Sequence, residues 1–164
     1  MPPRILVAGV GNIFRGDDAF GSEVARRLVA TPLPPDVCVV DIGIRGHDLA
    51  FALQDDYAAL VLVDVIQRGG QPGALYLIEP EPESLRAQPA EGIMDTHAMN
   101  PLRVLRLVQA TGGKLPPIWL VGCEPLTFGP DEGQMGLSEP VAAAVQEAVA
   151  LVHSLLTRMC AHEQ

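Results

Sequence analysis

At 164 residues the chain suits one compact domain, residues 1–164, with a sizeable core, and 48% hydrophobic against 19% charged residues is a globular composition that excludes a disordered polymer. A formal net charge of −9 lacks the electrostatic footprint of a nucleic-acid binder or of a protein that sits on anionic membranes, while a basic or neutral protein partner stays open. Cys38, Cys123 and Cys160 are far apart with no Cys-x-x-Cys, which gives no support to a zinc ribbon or a thioredoxin-type site.

The odd cysteine count without a secretion signal points to reduced thiols in the cytoplasm. Met1-Pro-Pro-Arg4 leads straight into an apolar strand, so no cleavable leader is expected. No apolar run reaches about 18 residues, so no membrane insertion is expected either.

Taken in chain order, strands are expected over 4–9, 37–42, 58–65, 74–79 and 117–122, all rich in Val, Ile and Leu and bounded by turn residues. Leu60-Val-Leu-Val63 is apolar on both faces, as a central strand covered on both sides must be. Helices are expected over 18–30, 46–54, 100–111 and 138–159. Phe20, Val24 and Leu28 make one stripe in the first. Asn100-Pro101 starts the third, Gly112-Gly113 stops it, and Ser138 is placed to cap the last. The alternation predicts an α/β fold: a three-layer sandwich whose twisted, mainly parallel five-stranded sheet carries helices on both faces. The short Arg68-to-Gly73 connection allows strand 74–79 to run antiparallel to its predecessor, giving a mixed sheet. Residues 79–92 and 129–136 are expected as surface loops.

Gly9-Val10-Gly11-Asn12 follows the first strand and precedes a helix, the context of a dinucleotide fingerprint, but Phe14 stands where the third glycine belongs. Asp17 and Asp18 come next and would repel a pyrophosphate; Asp41, ending strand two, is the residue a ribose would need. Asp17 suits ordinary capping. Asp18, at the positive end of a helix, suits an ionised carboxylate available to a cation or to a proton of water. Asp64 ends a buried strand at the edge where open α/β sheets gather their ligands, and a buried aspartate needs partners or a metal. His97, in Met94-Asp-Thr-His-Ala-Met-Asn100, gains significance only through company; two carboxylates and an imidazole suit a first-row transition ion or metal-assisted hydrolysis. His47, His153 and His162 have no such company in the sequence. Gly43-Ile-Arg-Gly46 is either a tight turn or a backbone approach to a ligand or peptide. No Gly-x-Ser-x-Gly elbow and no paired-histidine protease helix occur, and no cysteine has an obvious histidine partner.

These pieces, in this order, resemble the hydrogenase maturation endopeptidases, which process the large subunits of nickel-iron hydrogenases. The likeness is carried by Gly9-Val-Gly-Asn12 with Asp17-Asp18 and Gly21, Asp41-x-Gly43-x-x-Gly46, Val63-Asp64, Thr96-His97 and Val121-Gly-Cys-Glu-Pro125, and so spans nearly the whole chain. The resemblance implies a twisted sheet between helices and an endopeptidase that removes the C-terminal extension of the large-subunit precursor after nickel insertion. It implies that nickel is contacted by Asp18, Asp64 and His97, the same three being the catalytic set. The nickel is then presented by the substrate, and a resident metal is not required. The first acid of the family is often glutamate; here it is Asp18, shorter by about one C–C bond, and both acids offer oxygen ligands. The identity of the general base stays open. A non-enzymatic nickel-protein escort and a dinucleotide-binding oxidoreductase are the rival classes.

Overall fold

The computed structural model describes residues 4–44, 52, 56–79 and 116–161. Five strands form one sheet: β1 (Ile5–Val10), β2 (Val37–Gly43), β3 (Ala59–Val65), β4 (Leu75–Ile78) and β5 (Ile118–Cys123), in the order β2-β1-β3-β5-β4. All neighbours are parallel except β4, which runs antiparallel to β5. The expected mixed, mainly parallel α/β sheet is therefore the one found. The three interior strands are also the ones that are apolar on both faces, because each side of an interior parallel strand must be covered.

One face carries two helices. A 3-10 turn (Gly16–Ala19) leads into α1 (Phe20–Val29), and α2 (Glu139–Ala161) lies beside it. Phe20, Val24 and Leu28 of α1 pack with Val7, Val61, Val63 and Val121 of the sheet and with Val141, Val145 and Val152 of α2. By length and composition alone α2 is apolar enough to cross a membrane, but its apolar stripe is spent on this core. On the other face Leu6, Ala8, Leu60, Leu62 and Leu120 form a second cluster, against which Ala52, a helical residue, packs. The remainder of the expected helix 46–54, the whole of helix 100–111 and nearly all of loop 79–92 lie outside the described residues.

One expectation needs correcting. Strand 74–79 is antiparallel, but not beside its predecessor: β5 lies between β3 and β4. The chain leaving β3 crosses the end of β5 instead of folding back on itself. The Ile66 amide donates to the Cys123 carbonyl, the Gly73 amide to the Glu124 carbonyl, and the Glu124 amide to the Ala74 carbonyl. Gly122 permits the crossing, since a Cβ there would run into the Ile66 side chain. The apolar β5, Ile118-Trp-Leu-Val-Gly-Cys123, then takes the interior position, and the half-buried β4 takes the edge.

Candidate active site

The glycines of the first turn are consumed by packing. A Cβ on Gly9 would strike the Gly21 carbonyl and Ala25, and a Cβ on Gly21 would strike the backbone of Val10 and Val63. Gly11, at φ +147°, has the Asp18 carbonyl where a side chain would begin. The start of α1 is thus pressed against the ends of β1 and β3, which brings the acidic 3-10 turn to the carboxyl edge of the sheet. The space a pyrophosphate would need is filled by the chain itself, and the Asn12 amide donates at 2.9 Å to Asp18 Oδ2. Asp41 Oδ1 is engaged in the same way, accepting from the Ser22 hydroxyl at 2.7 Å and the Gly43 amide at 3.0 Å.

Asp17 and Asp18 diverge, as neighbours on a helical turn must. Asp17 is fully buried and holds distant chain together. Its carboxylate accepts from the amides of Leu126, Thr127 and Ser138 and from the Ser138 hydroxyl, at 2.7–3.0 Å. The expected cap is therefore a clamp across 109 to 121 residues of sequence. Ser138 does precede α2, and its carbonyl accepts the Ala142 amide, while its hydroxyl is donated to Asp17.

Asp64 sits at the penultimate position of β3, opposite Gly122, with 4% of its surface exposed. Strand alternation puts it on the face of Leu60 and Leu62, away from α1. Burial holds its carboxyl well above the ordinary aspartate value, and the nearby charge of Asp18 adds to that; the Val65 amide, donating to Oδ1 at 2.7 Å, opposes both. Two carboxylates from segments 46 residues apart in sequence thus interact at one end of the sheet. One acid ends a buried strand and the other lies on the 3-10 turn.

Glu124, which entered only within Val121-Gly-Cys-Glu-Pro125, is a further acid at this edge. It is nearly buried and accepts from the amides of Arg68 and Gly70 and from the Tyr76 hydroxyl. Burial pushes its carboxyl up, but these donors outweigh that and hold it below the usual range. Its work is structural: it fixes the connection that leaves Asp64. Proximity of Glu124 to the end of an apolar strand was the available signal. Cys123 beside it is buried, with its thiol pushed up to about 12, and does not act as a nucleophile at neutral pH. His153 bonds Thr31 at 2.9 Å and ties α2 to the end of α1.

His97 lies outside the described residues, as do His47 and His162. Among the described residues no group of three or more metal-ligating side chains occurs, so the described part of the candidate set is the Asp18–Asp64 pair.

Comparison with known proteins bears on what such a pair serves. Residues 22–155 match the hydrogenase maturation protease family. The chain belongs to that family. The hydrogenase expression/formation protein HupD of Rhizobium leguminosarum bv. viciae is 30% identical over 159 residues, covering 93% of this chain and 75% of that one. The hydrogenase maturating endopeptidase HybD of Escherichia coli superposes with a TM-score of 0.77 at 28% identity, covering 95% and 93% of the two chains. The [NiFe] hydrogenase maturation protease HycI of Thermococcus kodakarensis KOD1 gives 0.72 at 28% identity, over 94% and 92%. Membership of the hydrogenase maturation protease family makes this chain a peptidase acting on a hydrogenase precursor.

Proposed function

We propose that this peptidase removes the C-terminal extension of a nickel-iron hydrogenase large-subunit precursor once nickel is in place, and that Asp18, Asp64 and His97 grip the nickel of that substrate. The observation that carries the reading is that two buried acids, Asp18 on the 3-10 turn and Asp64 at the end of β3, meet at the carboxyl edge of the sheet. A buried acid kept beside a second acid costs stability, and a bound cation offsets that cost by stabilising both ionised forms. Two carboxylates and one imidazole leave coordination positions open, which suits a metal that arrives with other ligands already on it. The Thermococcus kodakarensis neighbour carries [NiFe] in its name, which agrees with nickel-iron substrates for this chain too.

In the proposed reaction a water attacks the scissile carbonyl carbon, the C–N bond breaks, and the departing amine takes up a proton. Asp18 and Asp64 orient the precursor, and one carboxylate accepts the water proton. Cys38, Cys123 and Cys160 form no disulfide among the described residues, which fits a reducing compartment, and we assign the protein to the cytoplasm.

The test is processing of purified precursor, read by intact mass, with Asp18→Ala, Asp64→Ala and His97→Ala variants that retain the wild-type circular dichroism spectrum. Each variant is expected to leave the extension in place. Normal trimming by all three would remove the site assignment. Stable binding of precursor by the wild type with no product after long incubation would instead favour an escort.

A further inference from the structure

Asp17 fixes more than the fold. Three surface segments meet through it and its neighbours: Ile13 to Gly16, Leu126 to Thr127, and Gln134 to Ser138. The Gly16 amide donates to the Gln134 carbonyl and the Gln134 amide to the Phe14 carbonyl, both at 2.8 Å, while the Asp17 amide donates to the Thr127 carbonyl at 3.0 Å. The Asp17 carboxylate closes the set from below. On these stitched segments Ile13, Phe14, Leu126 and Met135 stand 43%, 57%, 57% and 69% exposed. Ile13 and Met135 also line a groove of about 530 Å³ that is apolar at Ala19 and Val145 and charged at Glu23, Arg26 and Asp41.

Large apolar side chains scattered on mobile loops need no explanation; four of them held out on a hydrogen-bonded frame do. The frame adjoins Asp18 along the chain, since Asp17 precedes it and Ala19, which lines the groove, follows it. On a chain of net charge −9, the patch offers contact area without charge repulsion.

We infer that Ile13, Phe14, Leu126 and Met135 form a docking rim for the folded body of the hydrogenase precursor, seating it so that its processing region reaches Asp18 and Asp64. The inference rests on the reading of the chain as the precursor's processing peptidase. The exposed rim supplies the contact area beside the groove. Rigid presentation is what the clamp provides: the side chains need little ordering on binding.

The test compares wild type with a Phe14→Ser/Met135→Ser double variant and an Ile13→Ser variant, using nickel-loaded precursor. Steady-state processing gives KM and kcat, and surface plasmon resonance gives binding without requiring cleavage. Val29→Ser, an exposed apolar position at the far end of α1, is the control. The rim variants are expected to raise KM and weaken binding about tenfold or more, with kcat at saturation within about twofold of wild type and the melting temperature unchanged. Binding within about twofold of wild type in both rim variants would overturn the proposal. So would a wild-type dimer that the rim variants convert to monomer with KM unmoved, since the rim would then face a second copy. Failure of the acid-site reading has a different signature: normal trimming by Asp18→Ala and Asp64→Ala, with the rim variants still weakened in binding.

Discussion

Asp18 and Asp64 reach the same edge of the sheet by unrelated routes, one on a 3-10 turn held down by glycine contacts and one at the end of a buried strand, and the charge of the first strengthens the hold of the second on its proton. Burial is the larger cause and Asp18 the next. In metal-free Asp18→Asn protein, the Asp64 titration, followed by carboxyl carbon chemical shift, is therefore expected to move down but to stay above the ordinary 3.8. An unmoved Asp64 titration would mean that the two acids do not interact.

The same shift makes Asp64 costly to the fold. The folded state holds the Asp64 proton above the ordinary 3.8 of the unfolded chain, so between those two values the folded state binds more protons. Stability then falls as pH rises through that window and stays low above it. Asp64→Asn removes the ionisation and can keep the carbonyl oxygen that accepts the Val65 amide. At neutral pH the metal-free variant is expected to melt several degrees above wild type, and near pH 3 the two should coincide. A variant that melts lower at neutral pH would show that Asp64 contributes stability as a carboxylate.

Asp17 is expected to behave in the opposite way. Its carboxylate satisfies three amides and a hydroxyl on chain that nothing local would bring there. Asp17→Ala leaves these donors unpaired in a buried place and should cost roughly 3–5 kcal/mol in urea unfolding. Asp17→Asn should recover little of this, because one of its two polar atoms presents N–H groups to donors.

How much of this was legible in the chain depends on range. The strands and their buried faces were visible because apolar residues repeat locally, and Asp64 was visible because a charge ended an uninterrupted apolar run. The order of β4 and β5 was not, because it is decided by Ile66 crossing over Gly122, a contact between residues 56 positions apart. Asp17 looked like a cap because its neighbours in sequence fit one, while its actual partners begin 109 residues away. Glu124 showed only its place after an apolar strand, because its donors come from the connection after β3. His97 was singled out by the company of two carboxylates, and it lies outside the described residues.

Gly21 gives a direct check on the close approach that presents the acid turn. A Cβ there would meet the carbonyls of Val10 and Val63, which belong to two interior strands that do not readily shift. Gly21→Ala is expected to destabilise the protein by about 2–4 kcal/mol despite the better helix propensity of alanine, read by chemical denaturation. A neutral or stabilising effect would mean that α1 can move away from the sheet.

Two carboxylates and an imidazole acting on nickel carried by the substrate would make cleavage depend on that nickel. Large-subunit precursor is prepared with and without nickel, incubated with this protein, and its C-terminus read by intact mass. The account predicts loss of the extension from the nickel-loaded form and an unchanged mass for the nickel-free form. Equal trimming of both would contradict it.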